Sequence, residues 1–205
     1  MVHPDTEIRF INSTIGYGLF ATKKILEGTI VYVKDELEIM ISPEDYKKYS
    51  EHLKKYIDRY SYIDPEGYRI LSWDLAKYTN HCCDPNTIST GYGFEFAIKD
   101  IEPGEQITDE YGIFNLDRIL EVSCDKQNCR KFIKPDDFET YYEEWDEKIK
   151  ESLPKIFIVE QPLYVFLDNE TKRELEEFRK DPKKYKTVYN LRYKKKLDIK
   201  RIQGF

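Results

Sequence analysis

The stretch Asn80-His81-Cys82-Cys83-Asp84-Pro85-Asn86, answered by Gly104-Glu105-Gln106-Ile107-Thr108-Asp109-Glu110-Tyr111, decides how this sequence is read. The first joins an amide, an imidazole and two thiols to an Asp-Pro-Asn turn, in which short polar side chains bond their own backbone and reverse the chain. The second is a Pro103-Gly104 turn feeding a short β-prone run that stops at Tyr111-Gly112. Between them Gly91-Tyr92-Gly93 separates residues 87–90 from 94–98 as a hairpin turn does. The two stretches thus stand about one hairpin apart, close enough to build one site.

Upstream, β-prone runs at 8–11, 16–21 and 29–33 are broken by glycines, among them Gly16-Tyr17-Gly18-Leu19-Phe20-Ala21. Residues 37–41 extend the sheet. Ser42-Pro43-Glu44-Asp45 then offers an N-cap, a proline at the first helical position and early negative charge. The helix it starts carries Tyr46, Tyr49, Leu53, Tyr56, Ile57 and Tyr60 at helical spacing, a stripe expected to pack inward. A turn at 64–67, a strand at 68–71 and a helical turn at 73–78 deliver the chain into Asn80. Beyond Tyr111 the composition changes: 136–151 is acidic and helical in pattern, and a second helix is expected over 169–180. The expected organisation is a mostly β domain with α over 1–132, containing a helical insert at about 43–66, and a C-terminal helical extension over 133–205.

At 205 residues the chain can bury one sizeable core. A hydrophobic content of 40%, with 17 Tyr and 11 Phe, marks a globular protein. The net charge of -6 is uneven, because residues 171–205 hold 13 Lys and Arg against 5 Asp and Glu. The acidic remainder disfavours direct nucleic-acid binding, which needs a basic face, and favours a basic lysine-containing protein or peptide as partner. The basic end, with Lys194-Lys195-Lys196, reads as a solvated surface. No window approaches the roughly 18 apolar residues of a membrane span, and the first residues show no apolar signal core. The expected location is cytoplasmic, with the nucleus also open. Four cysteines in such a chain are expected as thiols or metal ligands rather than disulfides.

With these motifs in view, the chain resembles the SET-domain family of S-adenosylmethionine-dependent protein-lysine methyltransferases. Gly16-Tyr17-Gly18-Leu19-Phe20-Ala21 is similar to the family's Gly-Trp-Gly-Leu-Phe-Ala, and Asn80 to Asn86 is similar to Asn-His-Ser-Cys-Asn-Pro-Asn. Gly104 to Tyr111 resembles Gly-Glu-Glu-Leu-Thr-Tyr-Asp-Tyr, and Cys124-Asp125-Lys126-Gln127-Asn128-Cys129-Arg130 resembles the end of the cysteine-rich segment that follows many SET domains. The resemblance covers about residues 7–130 and implies the SET β-clip fold of small sheets with a pseudo-knot, the cysteine segment at 122–132 being partial.

By that resemblance Gly16, Tyr17, Gly18, Asn80 and His81 contact S-adenosylmethionine, Phe132 caps its adenine, and Tyr111 is the catalytic tyrosine that orients the lysine amine. A structural role for the His81 ring fits equally well. The implied substrate is a histone or another basic protein. The amine, whose reference pKa is about 10.4, must lose a proton before it attacks, and a dry aromatic channel beside a cationic cofactor promotes that loss. Two departures stand out. Asp109 replaces the family's Tyr or Phe, so the number of methyl groups added is not readable; its carboxylate either holds a water or the ammonium near the channel or points away. Cys83, Cys124 and Cys129 match three of the four ligands of the family's zinc site, while Val122 stands at the fourth, so the alternatives are a zinc completed from elsewhere and a packed tail of free thiols. The same departures leave a non-catalytic SET-like protein-binding module as the alternative function.

Overall fold

The computed structural model describes residues 1–193 except 123 and 125, so Lys194-Lys195-Lys196 lies outside the described residues. Small sheets dominate the first half. Strands β1 (Thr6–Asn12) and β2 (Gly16–Ala21) form an antiparallel hairpin, closed by Asn12, whose side chain accepts the amides of Thr14 and Ile15. Strand β3 (Ile30–Val33) is wholly buried, whereas β4 (Ile39–Ile41) belongs to a different sheet. The expected extension of the first sheet through 37–41 therefore does not occur.

The helical insert differs from its sequence pattern. Two helices, α1 (Pro43–Lys48) and α2 (Glu51–Tyr60), replace one, because Tyr49 adopts an extended backbone and Ser50 caps α2 through the Leu53 amide. The tyrosine stripe is not a packing face. Ile57 is its buried member, while Leu53 and Tyr56 are 43% and 55% exposed. Strands β5 (Ser61–Ile63) and β6 (Arg69–Leu71) follow, and β6 sits between β5 and β4.

A 3-10 turn over Leu75–Tyr78, capped by the Asp74 side chain, leads into β7 (Asn80–His81). The hairpin of β8 (Thr87–Ser89) and β9 (Phe94–Ala97) forms as the sequence predicts, with β9 between β8 and β3. Strand β10 (Thr108–Asp109) then pairs in parallel with β7, setting Asn80 beside Thr108 and His81 beside Asp109. A 3-10 turn over Tyr111–Ile113 ends this segment, and β11 (Leu120–Glu121) pairs with β12 (Phe132–Ile133).

Helices α3 (Asp137–Ser152) and α4 (Asn169–Lys180) close the described chain. They do not form a separate core. Phe138, Trp145, Ile149, Leu175 and Phe178 join Ile30, Val33, Ile88, Phe94 and Phe96 in one buried cluster, so the extension covers the β3–β9–β8 sheet. The buried Asp146 of α3 pins the last segment by accepting the Tyr185 and Thr187 hydroxyls and the Val188 amide. Gly91, in the hairpin turn, lies so close to this segment that a Cβ would sit 2.3 Å from the Thr187 carbonyl oxygen, which explains a glycine there. A second cluster, around Leu19, Ile25, Val31, Ile101 and Ile107, supports the β1–β2 hairpin. Among the described residues no helix is long and apolar enough to cross a membrane.

Candidate active site

The Asp-Pro-Asn turn and the tyrosine-bearing segment are stitched together by one side chain. The Asn86 amide donates to the Gln106 carbonyl at 2.9 Å, and its oxygen accepts the Thr108 amide at 2.9 Å. The Thr87 hydroxyl adds a bond to the Thr108 carbonyl, and the Cys82 amide one to the Asp109 carbonyl. These bonds supplement the short parallel pairing of β10 with β7, and buried backbone polar groups are costly unless paired. These bonds fix where Tyr111 leaves β10.

Tyr111 borders two cavities, together with Arg59, Tyr60, Lys77 and Leu120. On one side a cavity of about 580 Å3 is bordered by Ile15, Tyr17, Tyr78, Asn80, His81 and Glu121. On the other a cavity of about 320 Å3 is bordered by Tyr32, Tyr62, Phe114, Glu95 and Asp109. The Tyr111 ring tilts against Phe114 and against His81, with centroids 5.5 Å away in each case. Its hydroxyl donates to the Thr79 carbonyl at 2.6 Å, and burial first, then the charges of Asp109 and Glu95, raise its pKa. The phenol is therefore a neutral hydrogen-bonding group across the physiological range.

The residues expected at the cofactor are gathered, with different jobs. The Asn80 side-chain amide donates to the Tyr17 carbonyl at 3.1 Å, tying the first glycine motif to the second stretch. A Cβ on Gly18 would meet Ile11, Gln106 and the Asn80 amide at 3.0 Å or less, so this glycine is needed by its protein neighbours. Gly16 has φ +86°, a conformation that favours glycine at the end of the β1–β2 turn. Tyr17 stands half exposed against Phe10 and Tyr78 in edge-on contacts. Phe132 borders neither cavity; it is 48% exposed on β12, across from Glu121, which does border the larger one.

The His81 ring is a structural pin. Its Nδ1 lies 3.2 Å from both the Tyr111 amide and the Asp109 carbonyl oxygen, and its Nε2 faces Cys83 Sγ at 3.3 Å. Burial first, and then Arg130, bring its pKa down to about 4, so the ring is neutral. The Arg130 amide also donates to Cys83 Sγ at 3.2 Å, while its guanidinium pairs with Glu110 and Asp137. One residue thereby links the cysteine segment, the neighbour of Tyr111 and the first turn of α3.

The sulfurs of Cys83, Cys124 and Cys129 all lie within 4.8 Å of one another. Burial holds the Cys83 thiol up at about 11, while amides of Cys124 and Lys131 bring Cys129 down to about 7. Three converging sulfurs, one already receiving two N–H groups, fit three corners of a tetrahedral thiophilic metal site.

Sequence reasoning did not single out Glu95, Thr79, Tyr62, Phe114 or the role of Arg130. Glu95 left one signal, a carboxylate inside the otherwise apolar run Phe94-Glu95-Phe96-Ala97-Ile98. Thr79 acts through its carbonyl and left none.

This architecture of small sheets with helices is consistent with the SET fold. Residues 16–112 match the family model for the SET domain, so this segment is similar to that family. It is 30% identical over 143 residues to the Variant-silencing SET domain-containing protein of Plasmodium falciparum (isolate 3D7), covering 62% of this chain and 6% of that protein. It is 29% identical over 140 residues to Histone-lysine N-methyltransferase set1 of Dictyostelium discoideum, covering 60% of this chain and 9% of that protein. The chain thus spans less than a tenth of the length of either relative. Among solved structures, the methyltransferase domain of human Histone-lysine N-methyltransferase SETMAR superposes with a TM-score of 0.45 at 16% identity, covering 65% of this chain and 58% of that chain.

Proposed function

We propose that the chain is a protein-lysine N-methyltransferase that uses S-adenosylmethionine and acts inside the cell on a histone or another basic protein. The observation that carries this reading is the shared border: the half-buried Tyr111, with Arg59, Tyr60, Lys77 and Leu120, lies between a cavity bordered by the glycine and Asn-His motifs and an aromatic cavity that also holds Glu95 and Asp109. Methyl transfer from sulfonium to amine is an in-line displacement, so donor and acceptor must approach from opposite sides of one point, and holding them there is the largest part of the task.

In this reading the larger cavity takes the cofactor, against Gly16, Tyr17, Gly18, Asn80 and the His81 backbone, with Phe132 free on β12 to cover the adenine. When bound, the cofactor supplies an electrophilic methyl group and a positive charge. Lysine enters the smaller cavity, where Tyr32, Tyr62 and Phe114 strip water from its ammonium group, and desolvation lowers an amine pKa. Tyr111 directs the nitrogen lone pair toward the shared border through its hydroxyl. Cys83, Cys124 and Cys129 would hold zinc, with the fourth position left to a ligand from outside this trio. That ion would brace the segment that carries Arg130 against the turn before Asn86.

Calorimetry with S-adenosylmethionine, followed by transfer of tritiated methyl to core histones and to lysate proteins, tests the reading. Binding together with label on lysine supports it. Absence of binding sinks it, and binding without transfer to any protein favours the non-catalytic module that Asp109 and the incomplete cysteine set also fit.

A further inference from the structure

The floor of the smaller cavity holds two carboxyl groups that the reading above does not use. Glu95 projects from β9 and Asp109 from β10, and both border the cavity together with Tyr111. Ser89 fixes their relation, since it pairs with Glu95 across the β8–β9 ladder and its hydroxyl reaches an Asp109 oxygen at 3.4 Å. The other Asp109 oxygen accepts the Glu110 amide, and the Asp109 side chain has no exposure to bulk solvent. Among the described residues neither carboxyl has a cationic side chain bonded to it. Two adjoining carboxyl groups, one of them fully buried, cannot both ionise cheaply, so they share a proton or wait for a cation.

We propose that Glu95 and Asp109 act as one carboxyl pair that receives the substrate lysine in this cavity and takes the proton from its ammonium group. The inference rests on the lysine-methyltransferase reading and adds the proton acceptor to it. The ammonium donates an N–H to the ionised carboxylate, the proton passes from nitrogen to carboxyl oxygen, and a neutral amine and a neutral acid remain. The freed lone pair then forms the N–C bond to the methyl group while the electrons of the C–S bond stay on sulfur. The acid later returns its proton to water through the cavity mouth.

The electrical surroundings suit this role. Burial and the neighbouring carboxyl raise Glu95 well above the carboxylate range, and burial first places Asp109 at about 7, the region where a general base works near neutral pH. The groups facing the pair are Glu110 and Tyr111 on its own segment, Tyr32 and Glu38 from the β3 side, and Tyr62 from β5. Glu38 is itself raised by burial and accepts the Tyr32 hydroxyl at 2.8 Å. The side-chain cations on the cavity border, Lys55, Arg59, Arg69, Lys77 and Arg118, come from α2, β6, the 3-10 turn before β7 and the segment before β11, and the N-terminal ammonium also acts on Glu95. Arg69 is engaged by Asp58 and Asp117.

The test is the pH dependence of single-turnover methyl transfer from tritiated S-adenosylmethionine to core histones and a lysine-rich peptide library. Wild type, Asp109→Asn and Glu95→Gln are compared between about pH 6 and 10, with calorimetric cofactor affinity as the control for folding. The wild-type rate should rise toward a plateau near neutral pH. Asp109→Asn should fall about 100-fold at pH 7.5 and then climb about tenfold per pH unit toward the free-amine value of about 10.4, because only amine that has lost its own proton still reacts. Glu95→Gln should move the wild-type rise to higher pH, since the neutral carboxyl whose hydrogen bond favours ionised Asp109 is replaced by a weaker amide donor. Variants that keep the wild-type profile, or that fall by one factor at every pH, overturn the pair as proton acceptor while leaving the methyltransferase reading intact. A wild-type protein that labels neither acceptor at any pH removes that reading and the proton acceptor with it.

Discussion

The Tyr111 hydroxyl donates to the Thr79 carbonyl at 2.6 Å, joining the end of the second motif to the residue just before Asn80. That bond aims the phenol at the boundary of the two cavities, and it makes the hydroxyl separable from the ring. In Tyr111→Phe the ring packing against His81 and Phe114 remains and the hydroxyl is lost. Turnover should drop by about 100-fold or more, the cost of removing one organised hydrogen-bonding group. Cofactor affinity measured by calorimetry should stay within a few fold. Unchanged turnover would show that another tyrosine does the work.

Asn80→Ala removes the bond to the Tyr17 carbonyl at the border of the larger cavity. A net hydrogen bond of about 1 kcal/mol corresponds to roughly a fivefold to tenfold loss of affinity for S-adenosylmethionine. Titration calorimetry of the variant reads this directly, and identical affinity in the two proteins removes Asn80 from the cofactor side.

Asn86→Ala cuts the stitch between the turn and β10 and leaves the Thr108 amide and Gln106 carbonyl without these partners. Buried groups left unpaired cost about 1–3 kcal/mol each. Denaturant melts should show a loss of about 2–4 kcal/mol, accompanied by reduced turnover because Tyr111 follows that strand. A stable variant with normal turnover would mean the turn is held elsewhere.

Asp109 also makes stability depend on pH. Its pKa in the fold, about 7, lies above its usual value of 3.8, so ionisation opposes folding. The penalty is absent below 3.8, grows between 3.8 and 7 and is complete above 7. Asp109→Asn should therefore gain on wild type as pH rises from 5 to 8, by on the order of 2 kcal/mol, in paired denaturant melts. A difference that stays constant with pH would mean that the carboxyl does not titrate in this window.

Metal content gives a separate check on the cysteine trio. Purified protein should carry about one zinc per chain by elemental analysis, and cobalt substitution should give a sulfur-to-metal charge-transfer band. Cys129→Ser should abolish both, and chelation should lower the melting temperature, since binding energy at such a site is folding energy. Protein with no bound metal, and no band on adding cobalt, would leave the three as thiols.

The sequence by itself determined a good deal here. The order of the glycine motif, the Asn-His stretch and Tyr111 carried the family, and local turn chemistry placed the β8–β9 hairpin and α4. Caps, turn residues and period-2 runs act over a few residues, so they can be read along the chain. The tyrosine stripe misled, because its periodicity continues through Tyr49 although Ser50 restarts the helix and most of that face meets solvent. The tertiary structure alone decided which carboxyl, carbonyl and sulfur atoms converge. Glu95 and Asp109, Tyr111 and Thr79, and Cys83 and Cys129 lie far apart in sequence, and their meeting follows from the parallel pairing of β7 with β10 and the fold of the tail over the turn. Burial then set the chemistry: an aspartate whose orientation the sequence leaves open becomes, away from water, a group poised near neutral pH.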